Sequence, residues 1–343
     1  MRGLFTLIYA PRYSEWLVLE TGVDRPGDMA RLTHYIKPDC VVVTRFGDTP
    51  AHLEFFPSRA ALIKEKSLLV SALKKEGFLV VNMDDVDAYG LRKETSAKII
   101  TYGTDANALF RVSYAAIAYR KENNFPEGIL AKLEYDGKMI PFSLTGTIGL
   151  HYISSALAAF AVGDELGVNL LAAVGQLKAL SFPPGRMNIL EGIRNTVIID
   201  DSYNSSPVAL VAALRAFKEL TVSGRKIIVL GDMLELGAAS DNEHRKAGEC
   251  AAETADYLVT VGVRARFMRD GALGKGMSAE QTRYFGTSTE AGAFLKEFAQ
   301  KGDAILIKGS QGVRMEKAVA PLLAHPQKQK ELLVRQEKEW TIK

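Results

Sequence analysis

The chain has 343 residues, 47% of them hydrophobic, enough for a large core and for two domains of ordinary size. Its 43 basic and 40 acidic residues give a net charge of +3 and are interleaved along most of the sequence, which excludes a strongly basic face for nucleic acid. Cys40 and Cys250 are far apart and outside any metal-type spacing, which excludes a disulfide scaffold and fits a reducing compartment, the cytoplasm by default.

The opening Gly3-Leu4-Phe5-Thr6-Leu7-Ile8-Tyr9-Ala10 is apolar but short, follows a single Arg and runs into Pro11-Arg12, unlike a signal peptide. No later run approaches the roughly 20 apolar residues of a membrane helix, so no membrane partner is expected. Short β-branched runs then alternate with longer amphipathic stretches, the pattern of a parallel sheet covered by helices. Strands are expected over 16–20, 40–44, 78–82 and 98–102, and helices over 28–36 and 58–73, the second opening on a Ser58 cap. From 110 to 143, alternation with turns at Pro126-Glu127-Gly128 and Asp136-Gly137 predicts an antiparallel ribbon leaning on that layer. Helices follow over 151–166 and 169–180. Ser181-Phe182-Pro183-Pro184-Gly185 interrupts the pattern, and a domain boundary is placed there, dividing 1–185 from 186–325. Beyond it, strands over 196–200, 226–231, 257–262 and 304–308 alternate with helices over 207–220, 243–254, 289–300 and 315–323, a second doubly wound α/β unit. Residues 326–343 form a charged tail, rich in Lys, Gln and Glu, expected as a solvated or frayed helix.

Several of these strands end in polar or glycine-bearing segments, and ligands of open parallel sheets collect at the carboxyl ends of strands. Glu20 ends the first strand and His52 follows the second. A carboxylate and an imidazole there suit a hard cation and its phosphate ligands, or else a helix cap and a hydrogen-bonded histidine. The second unit opens with Asp200-Asp201-Ser202-Tyr203-Asn204. Two acids at a buried strand end are costly to desolvate unless something binds them, although capping of the next helix is the plain alternative. Gly231-Asp232-Met233-Leu234-Glu235-Leu236-Gly237 and Lys308-Gly309-Ser310-Gln311-Gly312-Val313-Arg314-Met315-Glu316 repeat the logic on two further strands.

Together with Leu19-Glu20-Thr21-Gly22, Arg25-Pro26-Gly27-Asp28, Ala51-His52-Leu53-Glu54 and Val81-Asn82-Met83-Asp84-Asp85, these segments resemble the Mur ligase family. Within it they are most similar to the branch that adds D-alanyl-D-alanine. The resemblance runs from about residue 17 to about 323. It implies an incomplete central ATPase domain with a P-loop-type parallel sheet, followed by a Rossmann-like C-terminal domain. It also implies a two-step peptidoglycan-precursor ligation. ATP phosphorylates the terminal carboxylate of UDP-N-acetylmuramoyl-tripeptide, and the amine of D-alanyl-D-alanine attacks the acyl phosphate, with Mg2+ neutralising the charge in transit. Carried over by position, Glu20 and His52 are expected as metal ligands and Lys66 as the lysine carbamylated to serve a second metal; an ordinary helix lysine is the alternative. His151 and Arg186 are expected near the nucleotide, or as a helix cap and a linker salt bridge. Asp201, Tyr203 and Asn204 are expected to contact the nucleotide from the second domain, and Lys308, Ser310 and Arg314 the incoming amino acid substrate.

The sequence departs from that pattern. No Gly-x-x-x-x-Gly-Lys-[Ser/Thr] occurs, and Gly271-Ala272-Leu273-Gly274-Lys275-Gly276 has the wrong spacing. Tyr152 and Ser155 stand for two asparagines, Thr21 for a methionine and Gln311 for an arginine. The resemblance places the phosphate loop and the UDP-holding domain ahead of Met1. The chain alone is therefore not expected to turn over ATP, and a separate N-terminal polypeptide could supply the loop. A non-catalytic binding or assembly protein derived from such a ligase is the competing reading, and a folylpolyglutamate synthase-like ligase ranks below both.

Overall fold

The computed structural model describes residues 14–47 and 55–341. These form two six-stranded sheets, each with helices packed on it. The first holds β1 (Cys40–Val43), β2 (Phe78–Asn82), β3 (Lys98–Gly103), β4 (Phe110–Tyr119), β5 (Pro126–Tyr135) and β6 (Lys138–Thr145), side by side in chain order. β1 to β4 pair in parallel, and β4 to β6 are antiparallel. The expected ribbon is thus a continuation of the parallel layer through β3 and β4 rather than a separate piece leaning on it. β2 is buried along its whole length, as an apolar run covered on both faces must be. Helix Arg59–Ser71 starts where Ser58 accepts from Ala61 N, and helix His151–Glu165 buries Leu157 and Phe160 against the other side.

The motif after β2 acts on backbone. Asp85 accepts from Phe46 N, Gly47 N and Ala88 N at 3.1, 3.2 and 2.9 Å, while Asp84 gathers Thr104 N and Asp105 N. Gly103 follows with φ +151°, and a Cβ there would lie 2.7 Å from the Asp84 carboxylate.

The expectation for residues 16–20 fails. No strand forms, and Trp16, Leu17, Val18 and Leu19 are 60, 80, 94 and 47% exposed. An extended segment becomes a sheet strand only where a neighbour accepts its N–H and C=O groups, and the described residues place none beside it.

The second sheet has the order β11-β10-β9-β12-β8-β7. β8 (Val197–Asp201), β9 (Lys226–Gly231), β10 (Tyr257–Val261) and β12 (Ala304–Lys308) match expectation within a residue or two. β7 (Asn188–Glu191), antiparallel to β8, and β11 (Thr282–Phe285) at the opposite edge were not foreseen, nor was helix Arg266–Gly274. Helices Ser240–Ala252 and Arg266–Gly274 approach so closely that a Cβ on Gly248 would lie 1.8 Å from the Met268 carbonyl. One on Gly271 would lie 2.1 Å from that of Arg245. The sheets join through a Thr147↔Asn188 bridge and an Ile189 N to Gly146 O bond of 2.9 Å.

The tail is not a solvated helix. Leu333 is 3% exposed inside the second core, and Arg335 is 6% exposed. Lys328, Lys330, Glu331, Glu337 and Glu339 are exposed, but Leu333 and Arg335 find an apolar slot and a set of buried acceptors.

Candidate functional site

β8, β12 and β9 lie together in the middle of the second sheet, so the segments that follow them meet at one edge. This carboxyl edge, where strand order reverses, is the usual ligand crevice of such sheets. Lys308 Nζ donates to Asp201 Oδ2 at 2.6 Å and to the Asn204 carbonyl at 2.9 Å. The Ser310 hydroxyl donates to the Ser205 carbonyl at 3.2 Å and accepts from Leu234 N at 2.9 Å, while Ser310 N reaches the Asp232 carbonyl. These bonds bring the three segments singled out in the sequence into one polar floor.

Asp200, fully buried, accepts from Ser202 N at 3.1 Å. Burial pushes its carboxyl up to about 7, eased by the Ser202 hydroxyl and N–H and reinforced by the charges of Asp201 and Glu316. Glu316 is held from two sides, by Arg314 Nε at 2.5 Å and by Arg335 Nη1 at 3.0 Å. Arg314 has a left-handed backbone, φ +60°, which turns it back toward that carboxylate.

The first unit reaches this floor through two elements. His151 opens its helix, its ring 4.4 Å from that of Tyr152, whose hydroxyl donates to the Arg186 carbonyl at 3.1 Å. Solvent touches His151, yet the protein mass around it lowers its pKa; Asp201 opposes this, and Lys308 and Arg186 add to it. The ring is therefore neutral at pH 7. The Arg186 guanidinium lies 4.1 Å from the Tyr203 ring centroid, a cation–π arrangement. Gly185, φ +70°, makes this junction possible: its carbonyl accepts from Tyr203 N at 3.0 Å, and a Cβ would lie 2.9 Å from that nitrogen. A cavity of about 770 Å³ opens here, lined by Arg186, Tyr203 and Gln311 together with Lys330, Val334 and Trp340 of the tail.

Of the three expected metal ligands, two fall within the described residues. Glu20 lies in exposed coil, and His52 lies outside the described residues. Lys66 is half-buried on its helix, its ammonium 5.7 Å from the Phe46 ring centroid and its pKa lowered by burial. Among the described residues no group of three His, Cys, Asp or Glu side chains could hold a metal ion. The neighbouring Glu65 has another task, accepting from Gly27 N and Met29 N, both at 3.0 Å, at the start of helix Asp28–Tyr35.

Two contributors escaped the sequence reading. His244, fully buried, accepts from Met233 N through Nε2 at 3.0 Å, and its Nδ1 lies 2.7 Å from the Ser240 carbonyl. It pins the loop after β9 in one neutral tautomer. Arg335 reaches the strand end from a tail more than 130 residues away in sequence. Neither leaves a periodic signal, because each is a lone side chain bonded to main-chain groups outside its own element's pattern, 11 residues away for His244 and Met233 and 133 for Arg335 and Ser202.

Comparison with known proteins identifies both units. Residues 5–163 match the Mur ligase middle domain, and residues 185–311 match the Mur ligase glutamate ligase domain. The UDP-N-acetylmuramoyl-tripeptide--D-alanyl-D-alanine ligase of Bacillus subtilis is 28% identical over 322 residues, covering 94% of this chain and 67% of that protein. The Escherichia coli ligase of the same name is 29% identical over 320 residues, covering 91% and 66%. In fold, the chain is similar to a crystal structure of MurF from Acinetobacter baumannii, with TM-score 0.73, 24% identity, and 87% of this chain and 62% of that one covered. It is also similar to MurF from Thermotoga maritima in complex with ADP, with TM-score 0.72, 24% identity, and 90% and 66% covered. The chain spans about two thirds of the length of these relatives. With two successive Mur ligase domains matched and the strand ends of its second sheet assembled into one polar floor, the chain belongs to the Mur ligase family.

Proposed function

We propose that this chain is the rear part of an ATP-dependent ligase of peptidoglycan-precursor synthesis. It would add D-alanyl-D-alanine to UDP-N-acetylmuramoyl-tripeptide through an acyl phosphate. The observation that carries the reading is the junction where Arg186 and Tyr203 face the cavity beside the Asp201–Lys308 pair, with His151 arriving from the first unit. A cation on an aromatic face suits a nucleotide, which carries a flat base and phosphates. The names of the relatives supply the substrates, and the Thermotoga maritima protein binds ADP.

In this reading Tyr203 and Asn204 present the strand end to the nucleoside, and Arg186 holds phosphate. The Asp201–Lys308 pair fixes the floor on which Ser310 and Arg314 meet the dipeptide. The Lys308 ammonium, held by Asp201 in a buried place, would steady developing negative charge. Mg2+, once bound, would neutralise the transferred phosphoryl group. Carbamylation would convert Lys66 from a cation into a carboxylate and make it a metal ligand beside Glu20 and His52. We place the domains at 1–185 and 186–325, with 326–343 as an appended segment, and the protein in the cytoplasm. No helix among the described residues is long and apolar enough to cross a membrane.

In this reading the phosphate-binding loop, whose Gly-x-x-x-x-Gly-Lys-[Ser/Thr] does not occur in the 343 residues, is supplied by residues outside them. The test mixes the purified chain with Mg-ATP, the tripeptide and the dipeptide. It is run with and without a polypeptide that carries Gly-x-x-x-x-Gly-Lys-[Ser/Thr]. Phosphate release and dipeptide incorporation are expected only in the complete mixture. Absence of incorporation there refutes the ligase reading, and turnover by the chain alone refutes the need for the loop.

A further inference from the structure

Residues 326–341 return to the ligand crevice and pack on it. Leu333 enters the second core, and Val334 Cγ1 lies 3.1 Å from where a Cβ on Gly185 would be, so the tail touches the linker between the two units. The next residue, Arg335, has a left-handed backbone with φ +59°, a conformation a non-glycine residue keeps only when its surroundings impose it. Its guanidinium ties three things at once. Nη1 donates to the Ser202 carbonyl at 3.2 Å and pairs with Glu316 Oε2 at 3.0 Å, and Nη2 donates to the Tyr203 carbonyl. It also lies 5.6 Å from the Tyr203 ring centroid and 5.8 Å from that of Trp340. Trp340 in turn stands 5.2 Å from the Arg314 guanidinium. The tail therefore contributes Lys330, Val334 and Trp340 to the lining of the junction cavity, which Arg186 and Tyr203 also line.

We infer that residues 326–341 are a clasp that completes the ligand site. Arg335 is its positioning residue and Lys330 and Trp340 are its ligand-facing groups, for an aromatic ligand bearing phosphate. This rests on the nucleotide reading above and adds to it the lining residues of the tail. The logic is geometric. The carbonyls of Ser202 and Tyr203 belong to the strand end that aims the Tyr203 ring, so a fork that holds both fixes the ring on which Arg186 stacks. Tyr203 and Trp340 line one cavity and offer it aromatic rings, and Arg186 and Lys330 add cations to the same lining for phosphate.

The test uses the full chain with Trp16→Phe, which leaves Trp340 as its one tryptophan. ADP is titrated in the presence of a tryptophan-free polypeptide that carries the phosphate-binding loop, and followed both by Trp340 emission and by calorimetry. Saturable quenching is expected, and Lys330→Glu, an exposed position, should weaken ADP roughly tenfold, the scale of one lost charge-assisted bond, with an unchanged melting temperature. Arg335→Lys keeps a cation beside Glu316 but cannot span both carbonyls. It should weaken ADP and shift Trp340 emission to the red before any ligand is added; if it fails to fold, Lys330→Glu carries the decision. Equal binding by wild type and Lys330→Glu overturns the clasp and leaves the nucleotide reading standing. Heat of binding without quenching places the ligand away from Trp340 and also overturns the clasp. No heat and no quenching in the wild type overturns both.

Discussion

Lys308 Nζ and Asp201 Oδ2 lie 2.6 Å apart, with the lysine side chain 3% and the aspartate 9% exposed. A buried pair of this kind contributes modestly as a pair, but either member left alone is an uncompensated charge. Lys308→Met should cost about 3–5 kcal/mol. Adding Asp201→Asn should recover much of that loss. Urea denaturation of the four proteins in the cycle measures the coupling, and strictly additive effects would show that the two charges do not depend on each other.

Asp200 gives a pH signature. Its pKa in the folded protein is raised from the ordinary 3.8 to about 7 by burial, so between those values the folded state holds a proton that the unfolded state has released. Stability from this group therefore falls as pH rises from about 4 to about 7 and is level above that. Asp200→Asn mimics the protonated form and cannot ionise. Thermal melts should show the variant near wild type at pH 4 and more stable at pH 8, by about 1–3 kcal/mol, the scale of relieving a poorly solvated polar group. A constant difference across the range would mean that Asp200 titrates normally.

Gly248 and Gly271 let two helices touch backbone to backbone. Alanine at either place would meet a carbonyl oxygen, which cannot swing aside as a side chain can. Each substitution should cost about 1–3 kcal/mol or more, as overpacking does. Alanine at Gly274, where a Cβ would meet nothing within 4 Å, should be neutral or slightly stabilising, since it raises helix propensity. Chemical denaturation of the three variants checks the contrast.

Lys66 separates the metal reading from an ordinary lysine. In the complete ligation mixture described above, Lys66→Ala should abolish dipeptide incorporation, and added bicarbonate should not restore it. Incorporation within about twofold of wild type, less than 0.5 kcal/mol in barrier, would remove Lys66 from the site.

The legible parts of the fold were those in which pattern and burial coincide. β2, β9 and β12 are continuous apolar runs and are almost wholly buried, so composition alone locates them. β11 is short and half-exposed at a sheet edge, and its Thr-Arg-Tyr-Phe carries no strong period. Residues 16–20 show the opposite failure: their apolar run reads as a strand, but strand formation depends on a neighbour that local sequence does not describe. In the tail, a few outward-facing charges concealed the two side chains that decide its course, Leu333 and Arg335. At the site, polar residues after apolar runs marked Asp201, Lys308 and Ser310. His244 and Arg335 were not marked, because each serves main-chain groups brought near by the finished fold.

The seam between the two sheets bears on how the molecule melts. Besides the Gly146–Ile189 bond, the Thr147 hydroxyl donates to the Met187 carbonyl at 3.0 Å, Thr221 N donates to the Tyr119 hydroxyl at 2.7 Å, and Arg120 Nη1 is 2.8 Å from Glu191. Losing one sheet would strip these partners from the other's flank. Heat should therefore bring both down in a single cooperative event, and a calorimetric scan should record one endotherm rather than two.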